Sequence, residues 1–245
     1  MRRETGIRGW SGGGRWLGAW GAFWLVAALA ASSSASAMGE KGEAAGPLPP
    51  PAPDIVIGLD ASDGAPLTKS DGYARAVGAR LGEMVGRMRT GGRVHVRVFG
   101  AEGAEDVRLD LSISPGAQAE EVAQRVQAMA SVIPRLVYEE TLTPRRDTKI
   151  MAFTEAAATD VASCEARAAQ VVIVTDGFEA SAAADLRRGD TLPPPIAPRF
   201  APCAGLAFIG LDGPGASAAQ ARRLRRQWGL WSDAAGFPRF DALPL

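Results

Sequence analysis

Asp60, Ser62 and Asp63 fall within four residues, directly behind the apolar run Ile55, Val56, Ile57 and Leu59, and Gly64 closes the group. Small oxygen-bearing side chains at the end of a buried strand have two uses. Asp, Ser and Gly reverse a chain through local hydrogen bonds to the backbone, and a metal or anion site draws on the same groups. A second apolar run, Val171 to Val174, ends in the same manner, in Thr175-Asp176-Gly177. Two carboxylates, Asp60 and Asp176, therefore stand at the exits of two core strands.

The elements that position them follow from the periodicity. "DIVIGLD", "QVVIVT" and "GLAFIG" have no polar face, as expected of strands buried on both sides of a parallel sheet. "RVHVRVFG" alternates Val94, Val96 and Val98 with Arg93, His95 and Arg97, which makes His95 a polar-face strand residue. "DVRLDLSI" alternates against a charged face and reads as an edge strand. Between the strands, Tyr73, Val77, Leu81 and Val85 repeat at helical spacing behind a cap at Ser70 or Asp71, and Gly91-Gly92 ends that stretch. Gln118 to Val132, Lys149 to Ser163, and a last segment carrying Ala221, Leu224, Trp228 and Trp231 read as further helices. Strands alternating with helices specify a doubly wound α/β domain. In such sheets ligands bind beyond the carboxyl ends of the strands, where the strand order reverses.

The N-terminus has a different grammar. Arg2, Arg3, Arg8 and Arg15 precede the apolar stretch Trp16 to Ala31, and Ala35-Ser36-Ala37 supplies a small-residue exit. Residues 1–37 thus read as a secretory signal peptide, shorter in its apolar part than a spanning helix, with no stable membrane anchor after cleavage. Residues 38–53, "MGEKGEAAGPLPPPAP", read as a Pro/Gly-rich linker, and the ordered domain is expected over 54–245. The chain carries 27 Lys+Arg and 27 Asp+Glu; four of the basic residues and one acid lie in 1–37, so the remainder has a net charge of −3. That balance speaks against nucleic acid. The Arg222, Arg223, Arg225 and Arg226 cluster reads as a solvated helix face. Export also permits disulfides. Cys164 and Cys203, the two cysteines, each precede a buried strand and are expected to pair at the amino edge of the sheet.

"DIVIGLDASDG", the loop "RRDTKIMAFTEAA" and "VVIVTDG", in that order, resemble a von Willebrand factor type A domain over about residues 54–232. The resemblance implies a mostly parallel six-strand sheet and a metal-ion-dependent adhesion site. Residue by residue, Asp60 and Ser62 match the first two positions of the family's Asp-x-Ser-x-Ser motif, Thr148 its loop threonine and Asp176 its last acid. The ion implied is Mg2+ or Mn2+, which takes hard oxygens in an octahedron and keeps several waters. Its open position would receive an acidic group from a protein partner, so the site recognises and breaks no bond. The sequence departs from the motif at Gly64, which stands where the second serine belongs and supplies no hydroxyl. Asp147 and Glu179 read as solvated loop acids near the rim.

The reading that follows is an exported binding module, in the periplasm or at the cell surface, with a degenerate metal site. A metal-independent scaffold with a vestigial site is the alternative, and a metal-assisted hydrolase using Asp60 and Asp176 a weaker one. No Ser-His-Asp or Cys-His arrangement and no phosphate-cradling glycine loop is apparent, so no enzyme is expected. Arg188-Gly189-Asp190 matches a tripeptide read by integrin-type receptors, but such a string arises easily in a chain rich in Arg and Gly. "LPPPIAP" reads as a spacer across a long loop.

Overall fold

A computed structural model describes residues 54–113 and 119–245; the segments read as signal peptide (1–37) and linker (38–53) lie outside the described residues. Strand β1 (Asp54–Asp60) is buried at every position. Its β-branched residues face two ways: Ile55 and Ile57 join one core, Val56 the other. A single turn, α1 (Pro66–Lys69), leads into α2 (Asp71–Gly86), whose cap is Ser70, its hydroxyl accepting from the Tyr73 amide at 3.2 Å. Then come β2 (Arg93–Phe99), the short β3 (Ala101–Glu102) and β4 (Arg108–Ser112). Helix α3 (Ala119–Tyr138) is followed by the short β5 (Thr143–Pro144), and α4 (Ile150–Ala156) runs on into a π-helical turn over Ala157–Val161. Strands β6 (Ala169–Val174) and β7 (Gly205–Ile209), helix α5 (Ala218–Ala235) and β8 (Phe240–Leu243) complete the domain.

The six-strand sheet has the order β4-β2-β1-β6-β7-β8, while β3 and β5 pair with each other apart from it. All its pairings are parallel except β2 with the edge strand β4. The fold is a doubly wound α/β sheet, as the unfaced strands require. The chain leaves β1 toward β2 and β4 and returns to β6 on the other flank, so the order reverses between β1 and β6. Asp60 closes one of these two strands and Thr175-Asp176 follows the other.

Helices cover both faces. Val77, Leu81, Val126 and Ile133 from α2 and α3 pack on Ile57, Val96 and Val172. Ile150, Leu224 and Trp228 from α4 and α5 pack on Val56, Ile173 and Phe208. Helix α3 passes Val132 and carries Pro134 inside it. Proline weakens a helix by removing one backbone bond, but Ile133 beside it is fully buried, and that tertiary packing carries the turn. The helix expected to reach Ser163 changes character at Ala157 instead. Strand β8 has no counterpart in the periodicity reading, because four half-buried residues at a sheet edge leave almost no pattern.

The amino edge is fastened twice. Cys164 and Cys203 are joined, Cα to Cα 4.8 Å, closing the segment that holds the proline-rich loop. Asp54, with no exposed surface, accepts from Nε and Nη2 of Arg93 at 2.9 and 2.7 Å and from its backbone amide at 3.1 Å. No helix among the described residues is long and apolar enough to cross a membrane.

Candidate functional site at the carboxyl edge

Asp60 ends β1 with its side chain turned into protein and no exposed surface. Its Oδ1 accepts from the Ser62 amide at 2.9 Å, the local bond that turns the chain out of the strand. Its Oδ2 accepts from the Thr175 hydroxyl at 2.7 Å, linking the exits of β1 and β6. Burial pushes the Asp60 carboxyl up to about 6, against the pull of these hydrogen bonds. "DASDG" is therefore a turn first, held by its own aspartate.

The surrounding loops are laced to that turn through their backbones. The Asp63 amide donates to the Arg145 carbonyl at 2.8 Å, and the Arg145 amide to the Gly100 carbonyl at 2.9 Å. Gly100 has φ +79°, and a Cβ there would lie 2.9 Å from the Ser62 nitrogen, so only glycine lets the β2 exit approach so closely. Thr148 is buried and exchanges backbone bonds of 2.9 Å with Ala180 in both directions. The structure thus ties the loop bearing Thr148 to the segment just beyond Asp176. Backbone pairing holds Thr148 beside this edge, whereas Asp60, Ser62 and Thr175 form one hydrogen-bonded cluster.

Asp176 stands one residue further along. Its Oδ1 accepts from the Phe178 amide at 3.1 Å, a turn of the kind that Asp makes. Its Oδ2 accepts from Arg187 Nη2 at 2.6 Å. Burial raises the Asp176 carboxyl, and the charge of Arg187 opposes the rise. Arg187 is held in place three ways. Leu186 beside it is fully buried, its own amide donates to Asp185 Oδ1 at 3.0 Å, and its guanidinium carbon lies 4.3 Å over the Phe178 ring. Nothing in the sequence pattern marks Arg187 among the many arginines, because its role depends on a loop that returns to the sheet edge eleven residues later.

Arg187 also reaches Gly64. A Cβ at Gly64 would lie 2.5 Å from Arg187 Nη2, and that glycine has no left-handed backbone to account for it. The residue that departs from the adhesion motif is the one that makes room for the guanidinium. Beside the pair opens a cleft of about 260 Å³ bordered by Phe178, Gly213, Pro214 and Gln220.

The set does not fit a divalent ion as it stands. One oxygen of Asp176 is taken by an arginine, both oxygens of Asp60 are taken by protein donors, and the space of the missing hydroxyl holds a positive charge.

Of the two rim acids, one matches its sequence reading and one does not. Asp147 is a solvated loop acid, 3.0 Å from Lys149 Nζ. Glu179 is instead buried, with 1% of its surface exposed, and its Oε2 accepts from the Met151 amide at 3.1 Å. It satisfies the start of α4, whose own preceding residue, Lys149, offers no side-chain cap. The Arg188-Gly189-Asp190 string is occupied by its own loop, with Asp190 Oδ2 accepting from the Asp185 amide at 2.9 Å.

No family model and no curated protein matches the chain. Among solved structures it is similar to the pilus adhesin SpaC from Lactobacillus rhamnosus GG in its open conformation, at 11% identity and a TM-score of 0.41. The likeness covers 80% of this chain and 28% of the adhesin.

Proposed function

We propose that this chain is an exported binding module of von Willebrand factor A type, which presents the carboxyl edge of its sheet to a protein partner and performs no bond-breaking. One observation carries the reading. Asp60, Ser62 and Asp176, with the loop bearing Thr148, converge at the β1/β6 reversal, the place where doubly wound sheets bind their ligands. The rim there is built from exposed loop residues around an open cleft, and the carboxylates behind it are held by hydrogen bonds rather than aimed at a reacting atom. His95, the single histidine, lies elsewhere on the sheet, paired with Asp110 at 2.6 Å.

Photo-crosslinking in the producing cells tests it. A photoreactive residue in place of Pro214 or Lys69, both exposed at this edge, is expected to capture a protein, and one in place of Glu165 at the amino edge is not. Capture from Glu165 alone, or from none of the three, would sink the proposal.

A further inference from the structure

We infer that Arg187 is the resident cation of the carboxyl-edge site, a tethered guanidinium that does there what a divalent ion would otherwise do. Two independent contacts carry this. The charge pairs with Asp176 Oδ2 at 2.6 Å, and the same Nη2 fills the space that a side chain at position 64 would need. A side chain at 64 would push Arg187 Nη2 out of this placement, and the half-exposed guanidinium has room to give way. With glycine at 64, a nitrogen cation stands where the motif would place an oxygen ligand.

The arrangement makes electrostatic sense. Asp60 is fully buried and Asp176 partly so; burial makes each resist ionisation, repulsion from Asp176 adds a smaller push on Asp60, and the charge of Arg187 opposes the rise at Asp176. A guanidinium is always charged and suits a carboxylate edge, and its carbon lies over the Phe178 ring, where the π face attracts the charge. About half of the Arg187 side chain stays exposed, so the charge faces the cleft as well as the protein. A covalently attached cation has no dissociation constant, so chelators and ambient metal leave the site as it is. The inference concerns the interior of the site and needs no partner, so it fails or holds separately from the binding proposal.

Thermal unfolding of the full chain in EDTA and in millimolar MnCl2 tests it. The parent is expected to melt at the same temperature in both. Arg187→Gln should melt lower in EDTA by roughly 2–4 °C, the shift of about 1 kcal/mol in a domain of this size, whereas Arg187→Lys should stay closer to the parent. The double variant Gly64→Ser/Arg187→Gln restores a hydroxyl and removes the built-in charge, and its melting temperature should rise with Mn2+. Stabilisation of the parent by Mn2+ would overturn the inference. So would Arg187→Gln melting with the parent in EDTA, or a double variant indifferent to the metal.

Discussion

The Thr175 hydroxyl donates to Asp60 Oδ2 at 2.7 Å, joining the exits of two adjacent strands that lie 115 residues apart in sequence. This bond crosses the point where the sheet reverses its order, and it fixes the orientation of a carboxylate that has no access to water. It stabilises one rotamer of Asp60 and leaves the cost of burying the charge only partly offset, which is why that carboxyl titrates near 6.

Stability should therefore fall as pH rises from about 4 to about 6. The Asp60 pKa is higher in the folded chain than in the unfolded one, so the folded state holds the extra proton in that window and the advantage disappears above it. The span corresponds to about 3 kcal/mol at most. Asp60→Asn keeps an acceptor for the Ser62 amide and offers a donor to Thr175. It should raise the melting temperature at pH 7 and flatten the slope between pH 4 and 6, leaving the contributions of Asp176 and Glu179, whose carboxyls burial raises in the same direction. Urea titrations across that range, parent against variant, provide the check, and an equal slope in both would refute the assignment.

Glu179 should behave as the missing cap of α4. Glu179→Ala leaves the Met151 amide without its acceptor and is expected to cost about 1–3 kcal/mol. Glu179→Gln, which still accepts through its carbonyl, should cost less. Amide hydrogen exchange gives the local readout: faster exchange at Met151 in the alanine variant, and little change in α5. A solvated loop acid would show neither effect.

Breaking the Cys164–Cys203 bond should weaken the fold and spare the site. Its cysteines are 39 residues apart, a loop for which the chain-entropy account gives on the order of 3–4 kcal/mol. The bond precedes β6 and β7, at the sheet end opposite Asp60 and Asp176. Unfolding in urea should shift to lower concentration under reductant, while the crosslinking pattern from Pro214 and Lys69 stays the same. A changed pattern would mean that the two edges are coupled.

How far the sequence was legible follows a physical line. Strands buried on both faces announce themselves, because an unbroken run of apolar or small residues such as Ile55–Leu59 or Val171–Val174 leaves little alternative, and β1, β6 and β7 fall where "DIVIGLD", "QVVIVT" and "GLAFIG" place them. The edge position of β4 was equally plain, and a cap at Ser70 or Asp71 was legible, of which the structure uses Ser70. Strand β8 was not, since its pairing with β7 depends on a neighbour and not on its own pattern. The same distinction runs through the site. Asp60 and Asp176 were legible as strand exits, and Gly64 as a departure from a motif. Arg187 and Glu179 were not, because an arginine or a glutamate in a loop looks the same whether it faces water or turns inward to a partner that sequence distance conceals.

The indole nitrogen of Trp228 donates to the Gly177 carbonyl at 2.8 Å, one residue beyond Asp176. Of the six tryptophans in the chain, four fall within residues 1–37, and Trp228 and Trp231 are the two beyond them, both on α5. The tryptophan emission of a chain lacking its first 37 residues consequently comes from one helix, and one of its two indoles is hydrogen-bonded to the very turn that carries the site's second carboxylate. The emission maximum and quantum yield become an optical gauge of that turn. Occupancy of the cleft, displacement of Arg187 or protonation of Asp176 should be readable in the native protein with no dye attached.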